Sequence, residues 1–299
     1  MKVRSFIMKM RNEIHSIICT DKIVLNYPSL RTEDNKVNLH YYHPKCIKEE
    51  NGSSYNIGDY LSQVVVGYMC DYYNIDINKK ILGKSHLYAI GSILLMGYQN
   101  AAIWGSGFPF EPNCVRGIPH SSFFRNLDIR CVRGPYTRRS LEKLGHKCPK
   151  VYGDPAILMP FIYQPDSCKS DKTLIIPHYS KFKETQERYG KENTLCMNTC
   201  DYEYVINQIC SSKLVISSSL HGIILAEAYG IPAIYYQDRH DRFNYKYKDW
   251  YESTGRELRS INYSVEEAKK SYFPTLKPEK RKAMQEQLIE TFPIDLWMK

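Results

Sequence analysis

"VISSSLHGIILAEAYGIPAIYY", Val215 to Tyr236, sets two apolar runs on either side of three serines and a histidine. The first run, Leu214 to Ile216, is short and β-branched enough for a buried strand. After the serines the chain stays apolar for the length of a helix. Gly230, with Pro232 two residues on, ends that helix. "AIYY" then reads as a second strand. Strand, helix and strand in that order build a parallel sheet covered by helices. "SSSLHG" therefore lies at a strand's carboxyl end and a helix's amino end. Free N–H groups and roughly half a positive charge draw anions to such a place. The serine hydroxyls add donors, Gly222 leaves room for close approach, and His221 falls in the first turn. The plainer alternative is that Ser218 or Ser219 only caps the helix, with His221 partly buried beside it.

The same alternation runs outward in both directions. "KVNLHYYH" reads as a strand, and "NIGDYLSQVVVGYMCDYY" as a helix with Leu61, Val64, Val65, Tyr68 and Met69 on one stripe. "HLYAIGSIL" and "AAIWGSGF" are further strands bounded by glycines. "LDIRCVRGPYTRRSLEKLG" is strand, turn and helix, with Pro135 in the first turn and Gly145 past the end. "VYGDPAILMP" closes this half. The polar stretch Gln164 to Lys172 separates it from the strand "TLIIPHY". "DYEYVINQI" follows behind an Asp201 cap, and Ser264 with Glu267 has capping-box spacing. "PEKRKAMQEQLIE" reads as a last, mostly solvated helix. The expected organisation is an arm at 1–36, partly helical, then α/β units at 37–165 and 170–299 with a cleft between them.

Length and composition bound the function. A chain of 299 residues suits two domains of roughly 150 residues each. No run approaches the ~18 apolar residues of a membrane span. The amino terminus has no apolar core followed by a small-residue cleavage site, so no secretory leader is expected. The net charge of +9, with 25 tyrosines, suits nucleic acid, an acidic membrane face or anionic small substrates. The basic residues are spread along the chain rather than concentrated, so no nucleic-acid partner is expected. Ten cysteines include no Cys-x-x-Cys, and Cys196 and Cys200 lack partners at finger spacing. Reduced thiols and no structural metal are expected. In the first twenty residues Val3, Phe6, Ile7, Met10, Ile14, Ile17 and Ile18 have helical spacing, for packing or for an anionic membrane surface.

In open parallel sheets ligands gather at the carboxyl ends of strands. Arg133 ends a strand before a Gly-Pro turn, where its guanidinium is expected to point into the cleft and hold a phosphate or carboxylate. A pairing with a structural carboxylate is the alternative. Asn56 and Asp59 stand where the first helix begins, either as caps or as acceptors toward a sugar hydroxyl. His178 also ends a strand. His86, His120 and His146 lack such placement and read as ordinary.

These pieces, in this order, resemble the polysaccharide pyruvyl transferase family, and most nearly the bacterial exopolysaccharide ketal-pyruvate transferases. The matching stretches are "NIGDYLSQ", "IWGSG", "VRGPYTRRSLEKLG", "VYGDPAILMP", "IIPHY" and "VISSSLHGIILAEAYGIPA". The resemblance implies two Rossmann-like domains in an arrangement similar to the GT-B glycosyltransferases. It implies phosphoenolpyruvate as donor and co-substrate, and a glycan, often lipid-linked, as acceptor. It implies no metal and no nicotinamide; the reduced thiols lead to the expectation of a cytoplasmic protein, with the inner face of the plasma membrane as a further option. His221 matches the family's acid and Arg133 its donor arginine. Donor contacts are expected from Ser217, Ser218, Ser219, Leu220, Gly222 and His178, and acceptor contacts from Asn56 and Asp59, with Asp59 as a catalytic base. Related enzymes often have an arginine where this chain has Ser219, and Lys246 or Lys248 is the expected substitute. Two other readings stand beside this one: a GT-B glycosyltransferase using a nucleotide sugar, and a noncatalytic glycan-binding subunit.

Overall fold

A computed structural model describes residues 33–41, 56–95, 99–112, 125–165, 170–237, 244–258, 261–271 and 274–299. The arm up to residue 32, and with it the helix expected there, lies outside the described residues, as does His120.

The first half is a four-stranded, wholly parallel sheet. β1 (Val37–His40) is followed by helix α1 (Ile57–Tyr72), then β2 (Ser85–Tyr88), β3 (Ala101–Trp104), β4 (Leu127–Cys131) and helix α2 (Pro135–Lys143). The strands lie side by side in chain order. Every residue of β2 and β3 is buried, as a sheet covered on both faces requires. α1 starts where Asn56 Oδ1 accepts from the Gly58 N–H at 3.0 Å, so Asn56 rather than Asp59 is the cap. Its buried face is Ile57, Leu61, Val65, Val66, Met69 and Cys70. The expected stripe is thus rotated slightly, leaving Val64 and Tyr68 half-buried at its edge.

The second half contains β5 (Thr173–Ile176), α3 (Phe182–Tyr189), α4 (Tyr202–Cys210), β6 (Leu214–Ser217), α5 (Leu220–Ala228), β7 (Ala233–Tyr235), α6 (Tyr245–Ser253), α7 (Val265–Lys270) and α8 (Pro278–Glu290). The three strands are parallel, in the order β5, β6, β7. Single parallel bridges extend the sheet at both edges: Thr194 on Ile175 of β5, and Asn262 on Tyr236 beyond β7. The chain therefore goes first to one side of β5 and afterwards builds on the other. That reversal opens a crevice at the carboxyl end of β5, the place where doubly wound sheets bind ligands.

Between the halves runs the 3-10 segment Pro155–Phe161, buried from Pro155 to Met159. Apolar on all sides, it packs against both α1 and α5 and joins the two halves into one continuous core. α8 is less solvated than its composition suggests. Arg281 Nη1 donates to Glu227 O in the second half, whereas Gln285 Nε2 donates to Ile157 O and Trp104 Nε1 to Leu288 O. The chain beyond α8 buries Phe292, Leu296 and Trp297, and Trp297 Nε1 donates to Ile77 O in the first half. Among the described residues no helix is long and apolar enough to cross a membrane.

Candidate active site

Strand ends and helix starts of both halves enclose a cavity of about 260 Å³. α1 supplies Asn56 and Asp59, and the loop after β2 supplies Ser92 and Ile93. Pro177, His178 and Tyr179 follow β5, and Met197 and Asn198 follow the Thr194 bridge. Ser218, Ser219, Leu220 and His221 form the start of α5, and Lys246 reaches in from α6. The halves are tied at the rim by Ile57 N–H, which donates to Met197 O at 3.0 Å. Of the residues expected at the site, Asn56, Asp59, His178, Ser218, Ser219, Leu220, His221 and Lys246 meet here.

His221 stands in the first turn of α5 and lies flat against the first turn of α1. A Cβ at Gly58 would sit 1.7 Å from its Nδ1, so only glycine lets the imidazole in. On the other edge, Nε2 is 3.7 Å from Asp154 Oδ2, with Asp154 buried. Asp154 spends its other oxygen capping the 3-10 segment, accepting from Ala156 N–H at 3.1 Å. Both Nε2 and Oδ2 are buried without a hydrogen-bond partner.

Asp59 shares the cavity wall. Burial pushes its carboxyl up to about 6, and the Asp154 charge pushes the same way, while His221 and Lys246 pull it back. Gly91, at φ +118°, keeps the backbone clear: a Cβ there would stand 3.1 Å from Asp59 Oδ1. His178 Nδ1 lies 2.8 Å from Ser180 Oγ, and its ring tilts against the exposed Tyr179 at 4.2 Å.

The serine cluster divides its labour. Ser217 is buried, and its Oγ accepts from Ser219 N–H and donates to Ser219 O, both at 2.9 Å. It shapes the turn rather than facing the cavity. Gly222 serves the same packing: a Cβ there would stand 2.5 Å from Ser217 Oγ, so its bareness admits Ser217 and not a ligand. Ser218 lines the cavity, and its carbonyl accepts from Tyr247 Oη at 2.6 Å. Ser219 precedes α5 without a side-chain capping bond. The first intrahelical bond is Ile223 N–H to Ser219 O, so the Leu220 and His221 amides precede the ladder at the cavity edge.

Arg133 is not where its position at a strand end suggested. Its side chain is wholly buried, with Nε on Asp249 Oδ2 at 3.1 Å and Nη2 on Phe108 O at 2.5 Å. Asp249 also accepts from Thr137 N–H and Oγ1. Gly107 is bare because a Cβ would stand 2.5 Å from the guanidinium carbon. The link to the cavity is indirect: Nη1 donates to Ser92 Oγ at 2.8 Å, and Ser92 is on the wall. Lys248 is exposed on α6 and off the wall, whereas Lys246 is on it. Among the described residues, no three His, Cys, Asp or Glu side chains are grouped as a metal site requires.

Sequence reasoning missed Asp154 and Ser92. Asp154 follows a glycine and precedes a proline at the close of the first half, a punctuation that reads as a turn. Ser92 sits after Gly91 at the end of β2, the strand-end position that singled out His178, and the same test applied there finds it.

A model of the polysaccharide pyruvyl transferase family matches residues 21–237. The chain is 28% identical to uncharacterized protein L143 of Acanthamoeba polyphaga mimivirus, over 68% of this chain and 68% of that protein. It is 26% identical to succinoglycan biosynthesis protein ExoV of Rhizobium meliloti (strain 1021), over 59% of this chain and 56% of that protein.

Proposed function

The chain belongs to the polysaccharide pyruvyl transferase family and is a transferase, and on that footing we propose that it moves the pyruvyl group of phosphoenolpyruvate onto two hydroxyls of one sugar in a surface polysaccharide precursor. The observation that carries this reading is a single cavity holding His221, Asp59 and Lys246 beside the open start of α5. An anionic three-carbon donor needs cations and N–H groups, a proton donor, and a group to receive the acceptor's proton. The cavity wall has one of each.

In the proposed reaction the His221 imidazolium protonates the methylene carbon, and the adjacent carbon takes on oxocarbenium character. One sugar hydroxyl attacks that carbon, a second closes the ketal, and the C–O bond to phosphate breaks. The two hydroxyls lose two protons: one balances the new methyl group and the other leaves on the phosphate. Asp59, poised near neutral pH, receives a hydroxyl proton. The Leu220 and His221 amides, Ser219 and the Lys246 ammonium face the anion. Lys246 supplies the cation that Ser219 does not. Arg133 acts through Ser92, whose hydroxyl accepts from the guanidinium and turns its own hydrogen to the cavity. The reaction as written calls for no metal and no organic cofactor. The two halves, 37–165 and 170–299, serve as Rossmann-like domains of a GT-B-like pair. A lipid-linked acceptor would bring the protein to the inner face of the plasma membrane.

The test is phosphate release from phosphoenolpyruvate with a glycan acceptor. The expected outcome is turnover that falls about 10²–10⁴-fold in His221→Gln. Release of a nucleoside diphosphate from a sugar nucleotide instead, or undiminished turnover by the variant, overturns the reading.

A further inference from the structure

Two buried polar atoms face each other at 3.7 Å, Asp154 Oδ2 and His221 Nε2, and neither has a hydrogen-bond partner. A buried polar atom left unpaired keeps the full cost of its desolvation. A buried carboxylate opposite a ring nitrogen is the arrangement that fixes an imidazole's tautomer and orientation. Gly58 holds the ring from the other side, beside Nδ1. Nε2 is shut away from solvent, and His221 is a lining residue of the cavity, which leaves Nδ1 as the nitrogen for exchange with a ligand. We propose that Asp154 is the positioning residue of His221: its Oδ2 accepts the Nε2–H, so that the proton exchanged with substrate moves at Nδ1.

The inference deepens the reading of His221 as the acid and rests on it only for turnover. With Nε2–H held by the carboxylate, the cationic ring gives up its Nδ1 proton to the methylene carbon and becomes the neutral Nε2–H form. Asp154's negative charge also steadies the imidazolium. The other charged and titratable groups around the ring are Asp59 from α1, Lys246 from α6 and His178 after β5. Asp59 opposes loss of the ring's positive charge, and Lys246 opposes its gain.

Asp154→Asn separates positioning from support. Asparagine keeps Oδ1 for the Ala156 N–H, so the cap survives, and it replaces the acceptor facing Nε2 with an amide. The first measurement is the imidazole ¹⁵N–¹H correlation spectrum of the unliganded protein, with His221 assigned by its loss in His221→Gln. The parent is expected to show the neutral Nε2–H tautomer. Asp154→Asn is expected to invert it. With phosphoenolpyruvate as the probe, the variant's kcat is expected to fall about 10²–10⁴-fold with KM little changed. A parent ring carrying Nδ1–H, or a variant whose tautomer matches the parent's, overturns the inference. The parent spectrum alone decides it should the variant not fold. The spectrum needs no substrate, so the expected tautomer in a protein inert toward phosphoenolpyruvate upholds the inference while sinking the donor assignment.

Discussion

Arg133 and Asp249 form a buried ion pair whose geometry offsets the cost of removing both charges from water. Asp249, Ser92 and Phe108 each accept from the guanidinium, and Asp249 takes three donors in all. Removing one partner strands the other charge. Arg133→Met is therefore expected to destabilise the fold by about 3–5 kcal/mol in urea denaturation, so its loss of activity would not be a clean report on donor binding. Ser92→Ala is the informative change at this place, since it leaves the ion pair standing. Asp59 has the opposite character. Folded, its carboxyl holds a proton up to about pH 6; unfolded, it releases it near pH 4. The folded state binds the extra proton between those values, so this contribution to stability is whole below about pH 4 and lost as pH rises through 6. Asp59→Asn is expected to raise the unfolding free energy at pH 8 by about 1–3 kcal/mol and to change it little at pH 4, while turnover is lost. An equal effect at both pH values would show that burial does not govern this carboxyl.

At the scale of elements, the site is a meeting of helix starts. Asn56 caps α1, Asp154 caps the 3-10 segment, His178 caps the short turn after β5, and Ser219 precedes α5. Asn56, His178 and Ser219 line the cavity, so three of these starts border one space, and Asp154 stands behind His221. Gly58 is the tightest junction among them. In a helix, glycine costs roughly 0.8–1 kcal/mol relative to alanine, yet here the missing Cβ makes room for the His221 ring. Gly58→Ala is expected to leave the unfolding free energy within about 1 kcal/mol of the parent, because the gain in helix propensity offsets the ring's displacement. Turnover should fall nearly as far as in His221→Gln. An active Gly58→Ala protein would mean that the imidazole works from another position.

Across the whole molecule, the cavity exists only because two parallel sheets point their carboxyl ends at each other. The Pro155–Phe161 segment and α8 hold that relation, since each packs on both halves. A ligand touching both walls binds the folded state alone. Phosphoenolpyruvate at about 100 times its Kd is expected to add about 2.7 kcal/mol to stability, read as a rise in melting temperature. His221→Gln should keep most of that rise, because the acid is not the main anion contact. No rise in either protein would remove phosphoenolpyruvate as the donor.

The chain alone determined the alternation of strands and helices, the boundaries of most elements, and which segments end at the cavity. Those features follow from local patterns: apolar periodicity, glycine and proline stops, and caps such as Asp201, which accepts from Tyr204 N–H. It also pointed to His221 and Asp59 at one site, with either Lys246 or Lys248 beside them; the fold put Lys246 on the cavity wall. Tertiary structure decided what each strand-end side chain faces. Arg133 turned inward because Asp249, more than a hundred residues later, lies beside it. Gly222 proved a packing glycine because Ser217 folds over it. Asp154 became visible only when α1, α5 and the seam segment brought its free oxygen to the imidazole. A buried charge is placed by its partner, and partners distant in sequence leave no local pattern to read.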